Sequence, residues 1–144
     1  MPNIKTVEIE ARQTRGFTIS AAARMHNIAI DQPAPLGGDN GPTPLEYLLS
    51  SLAGCLIGTA FIIARQRQLA IRGMEVKVEG SLDTDVVGGR CTDCRAGFAQ
   101  FNVTFVIDAD MSPAEKEAFV AEVSHRCPVS DNLRNPTPMI FSVV

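Results

Sequence analysis

The sequence predicts an α+β fold in which antiparallel strands are packed on one long central helix. Apolar and polar residues alternate between residues 5 and 30 and again over residues 73–82 and 98–107, as in half-buried strands. Between these regions, apolar residues recur at helical spacing. With 144 residues, 45% of them hydrophobic and 20% charged, the chain has the composition of a globular protein. We expect one domain over residues 1–144.

The N-terminal part is expected to form a sheet of two or three strands. Residues 6–10 and 17–20 show the clearest alternation, and Arg24 and His26 follow on what is expected to be the second strand. Residues 31–42 are dense in Gly, Pro, Asn and Asp, which favour turns over regular structure. This segment is predicted to be a connecting loop.

The long helix has a well-marked start. Thr43 suits the N-cap, Pro44 the first helical position, and Glu46 completes a capping box, so the helix is expected to run to about Gln68. Residues 47–64 carry no charge and include a G-x-x-x-G pair, which raises the alternative of a membrane span. Polar and small residues dilute this stretch and the flanking strands need a sheet. We therefore expect a buried helix and no membrane.

A strand pair and a second helix follow. The strands at 73–82 and 98–107 are expected to be joined by a hairpin connection over residues 83–95. Ser112, Pro113 and Glu115 repeat the capping pattern at the start of a helix that Pro128 ends or interrupts. After a short turn or helix near residues 131–134, we expect a last strand over residues 139–143.

Charge and N-terminal composition limit the partners and the compartment. Thirteen Lys and Arg against 16 Asp and Glu give a net charge of −3, and no basic cluster is present. Nucleic acid is therefore not an expected partner. The first 15 residues contain several charges and no apolar core of a signal peptide, so a cytoplasmic location is expected.

Two separate cysteines are candidates for thiol chemistry. Cys55 lies in the middle of the long helix, where a thiol is either a small apolar filler or a reactive group. Cys127 stands at a helix end, where Arg126 beside it or His125 nearby would favour a thiolate. Their separation along the chain does not indicate whether the two thiols meet. His26 suggests no role.

Cys91 and Cys94 form a C-x-x-C motif in the predicted hairpin connection. Two thiolates can bind zinc, although a structural site has four ligands, so a pair from each subunit of a dimer would be needed. The same spacing can form a reversible dithiol that passes electrons to another disulfide. Two exposed thiols without a role are the third interpretation, and the sequence leaves all three open.

Several segments together resemble the OsmC/Ohr family, which comprises osmotically inducible protein C and the organic hydroperoxide resistance proteins. The resemblance extends over nearly the whole chain and depends on four segments: D-Q-P at 31–33 with Gly37 and Gly38, G-P-T-P-L-E-Y-L-L-S-S-L-A-G-C at 41–55, the G-x-x-V-x-V-x-G strand at 73–80, and C-P-V-S at 127–130. The pairing of the two cysteine motifs makes it specific.

This resemblance implies an intertwined homodimer with thiol-dependent peroxidase sites, active on organic hydroperoxides in oxidative or osmotic stress defence. Cys55 would be the peroxidatic cysteine and Cys127 the resolving one, joined after reaction as a disulfide. An external dithiol, of lipoyl type or another, would restore the thiols, and no cofactor is required. Apolar side chains near Cys55 would accept the tail of the peroxide.

The sequence departs from the Ohr branch at the residues that activate the thiol. Ohr proteins hold an N-terminal arginine with a glutamate at the position that is Leu45 here, one place before Glu46. Glu46 is a candidate for that role, with Arg24 as the first candidate arginine and Arg15 as the second. The chain thus resembles the broader OsmC-like branch. The alternative function is a non-catalytic protein of this fold that binds a small apolar ligand, or a metal at Cys91 and Cys94.

Overall fold

The computed structural model describes residues 1–144 and shows a mixed fold of antiparallel sheets and helices. The elements in chain order are β1 (Glu10–Arg15), β2 (Thr18–Ala23), β3 (His26–Ile30), α1 (Pro44–Arg67), β4 (Ile71–Ser81), β5 (Gln100–Ala109), α2 (Pro113–Arg126) and α3 (Pro128–Arg134). The chain forms two compact units, Met1–Leu48 and Leu49–Val144.

In the first unit, β1, β2 and β3 form an antiparallel sheet in sequence order. This confirms the N-terminal sheet, but two placements were wrong. Of the predicted strand at residues 6–10 only Glu10 is in a strand, because β1 begins where pairing with β2 begins, at Glu10 opposite Ala22. Arg24 is in the turn after β2, with φ of 57°, and His26 begins β3.

The predicted loop after β3 is held by the buried carboxylate of Asp31. That carboxylate accepts hydrogen bonds from the Gln32 and Asn40 backbone N–H groups, from Asn40 Nδ2 and from Thr18 Oγ1, at 2.7–3.1 Å. A side chain at Gly37 would overlap the Gln32 carbonyl oxygen and the Asp31 carboxylate. The loop therefore needs a residue without Cβ at this position.

Helix α1 has the predicted start and almost the predicted end. The Glu46 carboxylate accepts from Thr43 N at 2.7 Å, and Thr43 Oγ1 accepts from Glu46 N at 3.2 Å, which is the capping box. By length and composition alone the helix could cross a membrane. One face is nevertheless buried in the protein, formed by Leu52, Leu56, Thr59, Ala60, Ile63 and Ala64.

In the second unit, β4 and β5 form the predicted antiparallel hairpin, with Met74 opposite Ile107 and Ser81 opposite Gln100. The pair has one packed face because alternate residues point to the same side of a strand. Ile107 and Ala109 of this face join a core with Leu56, Phe119 and other side chains of α1 and α2. The hairpin, α1 and α2 thus share one hydrophobic core.

The C-terminal elements confirm the second capping box and correct the end of the chain. Ser112 and Glu115 cap α2, which ends at Arg126, and α3 follows directly. The predicted strand at residues 139–143 is wrong, since residues 136–144 form no regular structure. Alternation describes which sides of a strand are apolar, but a strand also needs a partner for its backbone hydrogen bonds. The apolar side chains there are exposed: Met139, Ile140, Phe141, Val143 and Val144.

Candidate active site

The structure brings the two separate cysteines together. Cys55 lies on α1 and is partly buried, while Cys127, at the junction of α2 and α3, has no exposed surface. Both are free thiols, and Cys55 packs against the core cluster that contains Cys127, close enough to affect its pKa. The α1–α2 packing thus aligns two sulfur atoms that are 72 residues apart in sequence.

Cys127 occupies two structural positions at once, the C-cap of α2 and the N-cap of α3. Its sulfur accepts a hydrogen bond from the Ser130 backbone N–H, with an N–S distance of 3.4 Å. A side-chain acceptor at an N-cap satisfies one of the free N–H groups of the first turn. The Cys127 sulfur is therefore held in place by the backbone of α3.

Burial raises the pKa of the Cys127 thiol above its ordinary value of 9.0. The neighbouring Cys55 side chain acts in the same direction. The Ser130 and Val129 backbone N–H groups oppose this rise but do not overcome it. Near neutral pH Cys127 is consequently a protonated thiol.

The charged residues beside Cys127 in sequence point elsewhere. Arg126 is exposed and donates to Glu122 Oε1 at 3.1 Å and to Gln66 Oε1 at 2.8 Å. Glu122 also forms an ion pair with Arg67 of α1. Arg126 thus ties α2 to α1. His125 is exposed.

An apolar cavity of about 390 Å³ opens in the second unit beside α3. Its polar lining comes from Ser124, Ser130 and Arg134, and the Ser124 and Ser130 hydroxyl oxygens are 3.3 Å apart. The apolar lining comes from α1, β5, α2 and α3: Leu52, Leu56, Phe101, Val103, Phe105, Val120 and Leu133. Ser130 lines the cavity and also donates its backbone N–H to the Cys127 sulfur, so this residue connects the cavity to the thiol.

Ser130 and Arg134 are site residues that the sequence reasoning missed. The spacing from Cys127 to Ser130 is the spacing of a cap to its N3 residue, which is the signal that could have found Ser130. Arg134 follows four residues later, one helical turn along α3, and its guanidinium donates to the Ser124 carbonyl oxygen.

The predicted activating residues lie in the first unit or at its end. Glu46 is exposed and its carboxylate is bonded to the Thr43 backbone, which lowers its pKa. Arg24 is exposed in the β2–β3 turn, and Arg15 is exposed at the end of β1. The capping role of Glu46 is confirmed, while a catalytic role for these three residues stays a prediction.

Cys91 and Cys94 form a disulfide in the connection between β4 and β5. Neither sulfur is a thiolate in this bonded form, so the structure offers no zinc ligand there. No group of three or more His, Cys, Asp or Glu side chains is arranged to hold a metal ion. Zinc at this motif stays a prediction for the reduced form.

Comparison with known proteins identifies relatives over nearly the full length. A hydroperoxide reductase of Mycoplasma pneumoniae is 28% identical over 139 residues, which are 96% of this chain and 94% of the relative. A hydroperoxide reductase of Mycoplasma genitalium is 25% identical over 129 residues, covering 90% of this chain and 87% of the relative.

Solved structures show the same fold. An OsmC-like protein from Mycoplasma pneumoniae superimposes with a TM-score of 0.81 at 28% identity, over 92% of this chain and 89% of the other. An organic hydroperoxide resistance protein from Elizabethkingia anophelis gives 0.73 at 14% identity, over 94% and 93%. The family model described as OsmC-like protein matches residues 37–142, a range that includes both free cysteines and the cavity. The chain therefore belongs to the OsmC-like protein family.

Proposed function

We propose that this protein is a thiol-dependent peroxidase that reduces organic hydroperoxides with Cys55 and Cys127. The observation that carries the proposal is the contact between the two thiols in the core of the second unit. Two free thiols that lie side by side in a core can be joined as a disulfide once one of them is oxidised, whereas structural core cysteines need no thiol partner. The names of the full-length relatives, hydroperoxide reductases, support the same activity.

The reaction has three balanced steps. The Cys55 thiolate attacks one peroxide oxygen and the O–O bond breaks, giving a Cys55 sulfenic acid and, after protonation, an alcohol. The Cys127 sulfur then attacks the sulfenic sulfur, so that a disulfide forms and water leaves. An external dithiol reduces this disulfide by two exchange steps and is itself oxidised to a disulfide.

The surroundings of the two sulfurs support this division of roles. The raised pKa and complete burial of Cys127 make it a poor first nucleophile, because the thiolate is the reactive form. Cys55 is only partly buried, so a peroxide can reach it. Cys127 is held against Cys55 by the α3 cap and is placed for the second step.

The apolar cavity supports an organic peroxide as the substrate. Seven of its lining side chains are aliphatic or aromatic, and burial of an apolar tail against them would contribute to binding. Hydrogen peroxide has no such tail. We therefore expect a larger kcat/KM for cumene hydroperoxide than for hydrogen peroxide.

We also propose that the protein is an intertwined homodimer. One face of α1 exposes Gly54, Gly58, Phe61 and Ile62, and no atom lies within 4 Å of a Cβ placed on either glycine. The apolar C-terminal segment after residue 136 is also uncovered. Helices with paired small residues can approach closely, so a second copy can cover the face of α1.

We also propose that an arginine held by Glu46 activates the Cys55 thiol. Arg24 is the first candidate for this arginine and Arg15 is the second.

The decisive experiment is peroxide consumption by the pure protein with dithiothreitol or dihydrolipoamide. We expect Cys55→Ser to reduce turnover to that of the free dithiol. Cys127→Ser should allow one turnover and then leave a Cys55 sulfenic acid that a dimedone probe labels. Arg24→Gln should lower kcat/KM at least tenfold.

The control is Ser142→Ala, outside the site. Wild-type turnover no faster than that of the free dithiol would overturn the proposal and favour the alternative, a non-catalytic protein that binds a small apolar ligand in the cavity. Unchanged turnover in Arg24→Gln would remove that residue from the mechanism without affecting the roles of the cysteines.

A further inference from the structure

We propose that Cys91 and Cys94 are a second redox site, at which a protein dithiol delivers electrons that then reduce the Cys55–Cys127 disulfide. The transfer step rests on the proposed function, whereas dithiol exchange at Cys91 and Cys94 does not. The OsmC resemblance does not include this motif.

The two cysteine pairs differ in accessibility. Cys94 is exposed and Cys91 is partly exposed, while Cys127 is completely buried and Cys55 is half-buried. A disulfide is reduced by a thiolate that approaches one of its sulfur atoms directly. A small dithiol can enter a cavity, but a protein dithiol needs sulfur at the surface. Cys91–Cys94 meets that requirement and Cys127 does not.

The connection around Cys91 and Cys94 has a defined structure. On one side, the Asp85 carboxylate accepts from Arg90 Nε at 2.8 Å, and the Asp85 carbonyl accepts from the Arg90 and Cys91 backbone N–H groups. On the other side, the Phe98 ring packs on Gly80. In the disulfide form the cysteines therefore lie between two anchored points, with Cys94 exposed at the surface.

The pair is flanked in sequence by two arginines. Arg90 precedes Cys91 and is neutralised by its ion pair with Asp85. Arg95 follows Cys94 and forms no ion pair with a carboxylate within the structure. A cation near a cysteine favours its thiolate, which makes that sulfur a better leaving group and a better nucleophile. Arg95 is adjacent to Cys94 in sequence, and we expect its charge to favour the Cys94 thiolate.

The electrons for each step come from the protein dithiol and end at the hydroperoxide of the proposed function. A thiolate of the protein dithiol attacks the Cys91 sulfur, the Cys91–Cys94 bond breaks, and Cys94, which is next to Arg95, leaves as a thiolate. The second thiol of the donor resolves the mixed disulfide and the donor is oxidised. A thiolate of the reduced pair then attacks the Cys55–Cys127 disulfide, so that Cys91–Cys94 forms again and Cys55 and Cys127 become thiols. The hydroperoxide is the final oxidant.

Transfer is compatible with the topology. The connection starts at Ser81 and ends at Gln100, in the sheet that shares a core with α1 and hence with Cys55. Cys91 is nine positions before Gln100, so a connection extended at roughly 3.3 Å per residue reaches about 30 Å from the start of β5. Transfer therefore requires the reduced connection to leave the arrangement held by Asp85 and Arg90 and to extend along the sheet.

The first experiment measures exchange without any peroxide. The Cys55→Ser, Cys127→Ser double variant keeps only the second pair. The variant is equilibrated at graded ratios of reduced to oxidised dithiothreitol in the presence of a chelator. Its free thiols are then alkylated, and the mass of the protein is measured by mass spectrometry. We expect two thiols to appear together and reversibly as the ratio rises, and Arg95→Gln to slow the approach to equilibrium at least threefold.

Two thiols that stay reduced with excess oxidised glutathione, a stronger oxidant than oxidised dithiothreitol, would overturn the proposal. So would added zinc that protects both thiols from alkylation, because the motif would then be a metal site. If the double variant does not fold, the same titration on the wild-type chain with peptide mass spectrometry gives the answer.

The second experiment measures transfer. Peroxide turnover is recorded with reduced thioredoxin, as a protein dithiol, and with dithiothreitol, and the ratio of the two rates is compared among variants. We expect the Cys91→Ser, Cys94→Ser variant to lower this ratio at least tenfold, while the matched Thr92→Ala variant keeps it. An unchanged ratio would overturn the transfer step. Absence of wild-type turnover with dithiothreitol would instead overturn the peroxidase function, and with it the transfer, while the first experiment alone decides the exchange.

Discussion

Asp31 shows how a single buried carboxylate can organise a long irregular segment. Four hydrogen bonds from Thr18, Gln32 and Asn40 reach its two oxygens, and they lower its pKa from 3.8 to about 2, the Gln32 backbone N–H having the largest effect. Hydrogen bonds to the ionised form favour that form. The turn composition predicted a loop at this position, but composition alone does not indicate which acidic residue is the anchor.

This anchor predicts acid sensitivity. A carboxyl with a lowered folded pKa stabilises the native state above its ordinary pKa, and that contribution is lost as pH falls from about 4 towards about 2. We expect Asp31→Asn to lower the urea midpoint at pH 7 and to flatten the decline of the midpoint between pH 4 and pH 2.

The matched control is Asp39→Asn in the same loop. Asp39 is exposed and its backbone φ of 54° suits asparagine. Urea unfolding curves from pH 2 to pH 7 provide the comparison, and a pH profile of Asp31→Asn parallel to that of the wild type would contradict the anchor role.

At the scale of elements, the helices were predicted more accurately than the strands. Both capping boxes, at Thr43 and Ser112, are formed by contacts within three residues, so the local sequence contains all the information that they need. Strand ends depend on where pairing begins in another part of the chain, which explains the shift of β1 to Glu10–Arg15. The expected strand at 139–143 has no partner in the chain at all.

The contribution of the α2 capping box to the stability of the protein can be measured. Ser112 Oγ accepts from the Glu115 N–H at 3.2 Å, and the Glu115 carboxylate accepts from the Ser112 N–H at 2.7 Å. We expect Ser112→Ala to lower the free energy of unfolding by about 1 kcal/mol, the usual loss for an N-cap hydroxyl. Thr84→Ala, at an exposed position in the β4–β5 connection, is the control. Equal urea midpoints for the two variants would show that the cap contributes no stability.

In the chain as a whole, helix α1 has one face that a single chain leaves uncovered. Its buried face joins the core, but its Gly54 and Gly58 face is open. A Gly58→Leu variant meets no atom of its own chain close to the added Cβ and should fold. In the proposed homodimer the same side chain would separate the two copies, because small residues set the distance between packed helices.

We therefore expect Gly58→Leu to shift the mass measured by light scattering from two chains towards one. Ala118→Leu adds the same kind of bulk at an exposed position of α2 and should keep the wild-type mass. A wild-type protein with the mass of one chain would contradict the dimer, and an unaltered Gly58→Leu dimer would place the interface elsewhere.

The candidate site was predictable in its cysteines but not in its geometry. The motifs around Cys55 and Cys127 identified both residues, yet their contact depends on how α2 packs on α1, which no local pattern specifies. Ser130 and Arg134 were missed because their roles arise from the capped start of α3 and from the cavity wall. The sequence indicated Cys91 and Cys94 as a motif, and the structure shows that a disulfide joins them.

Because Cys127 is the N-cap of α3, the stability of this helix and the oxidation state of the Cys127 sulfur are thermodynamically coupled. The Ser130 N–H bonds to the same sulfur that would change from thiol to disulfide. A weaker acceptor at the N-cap raises the free energy of the first turn, so each oxidation state of the sulfur gives α3 a different tendency to fray. Thermodynamic linkage is reciprocal, so the free energy by which oxidation of the Cys127 sulfur weakens the first turn of α3 is also the free energy by which formation of that turn disfavours the disulfide.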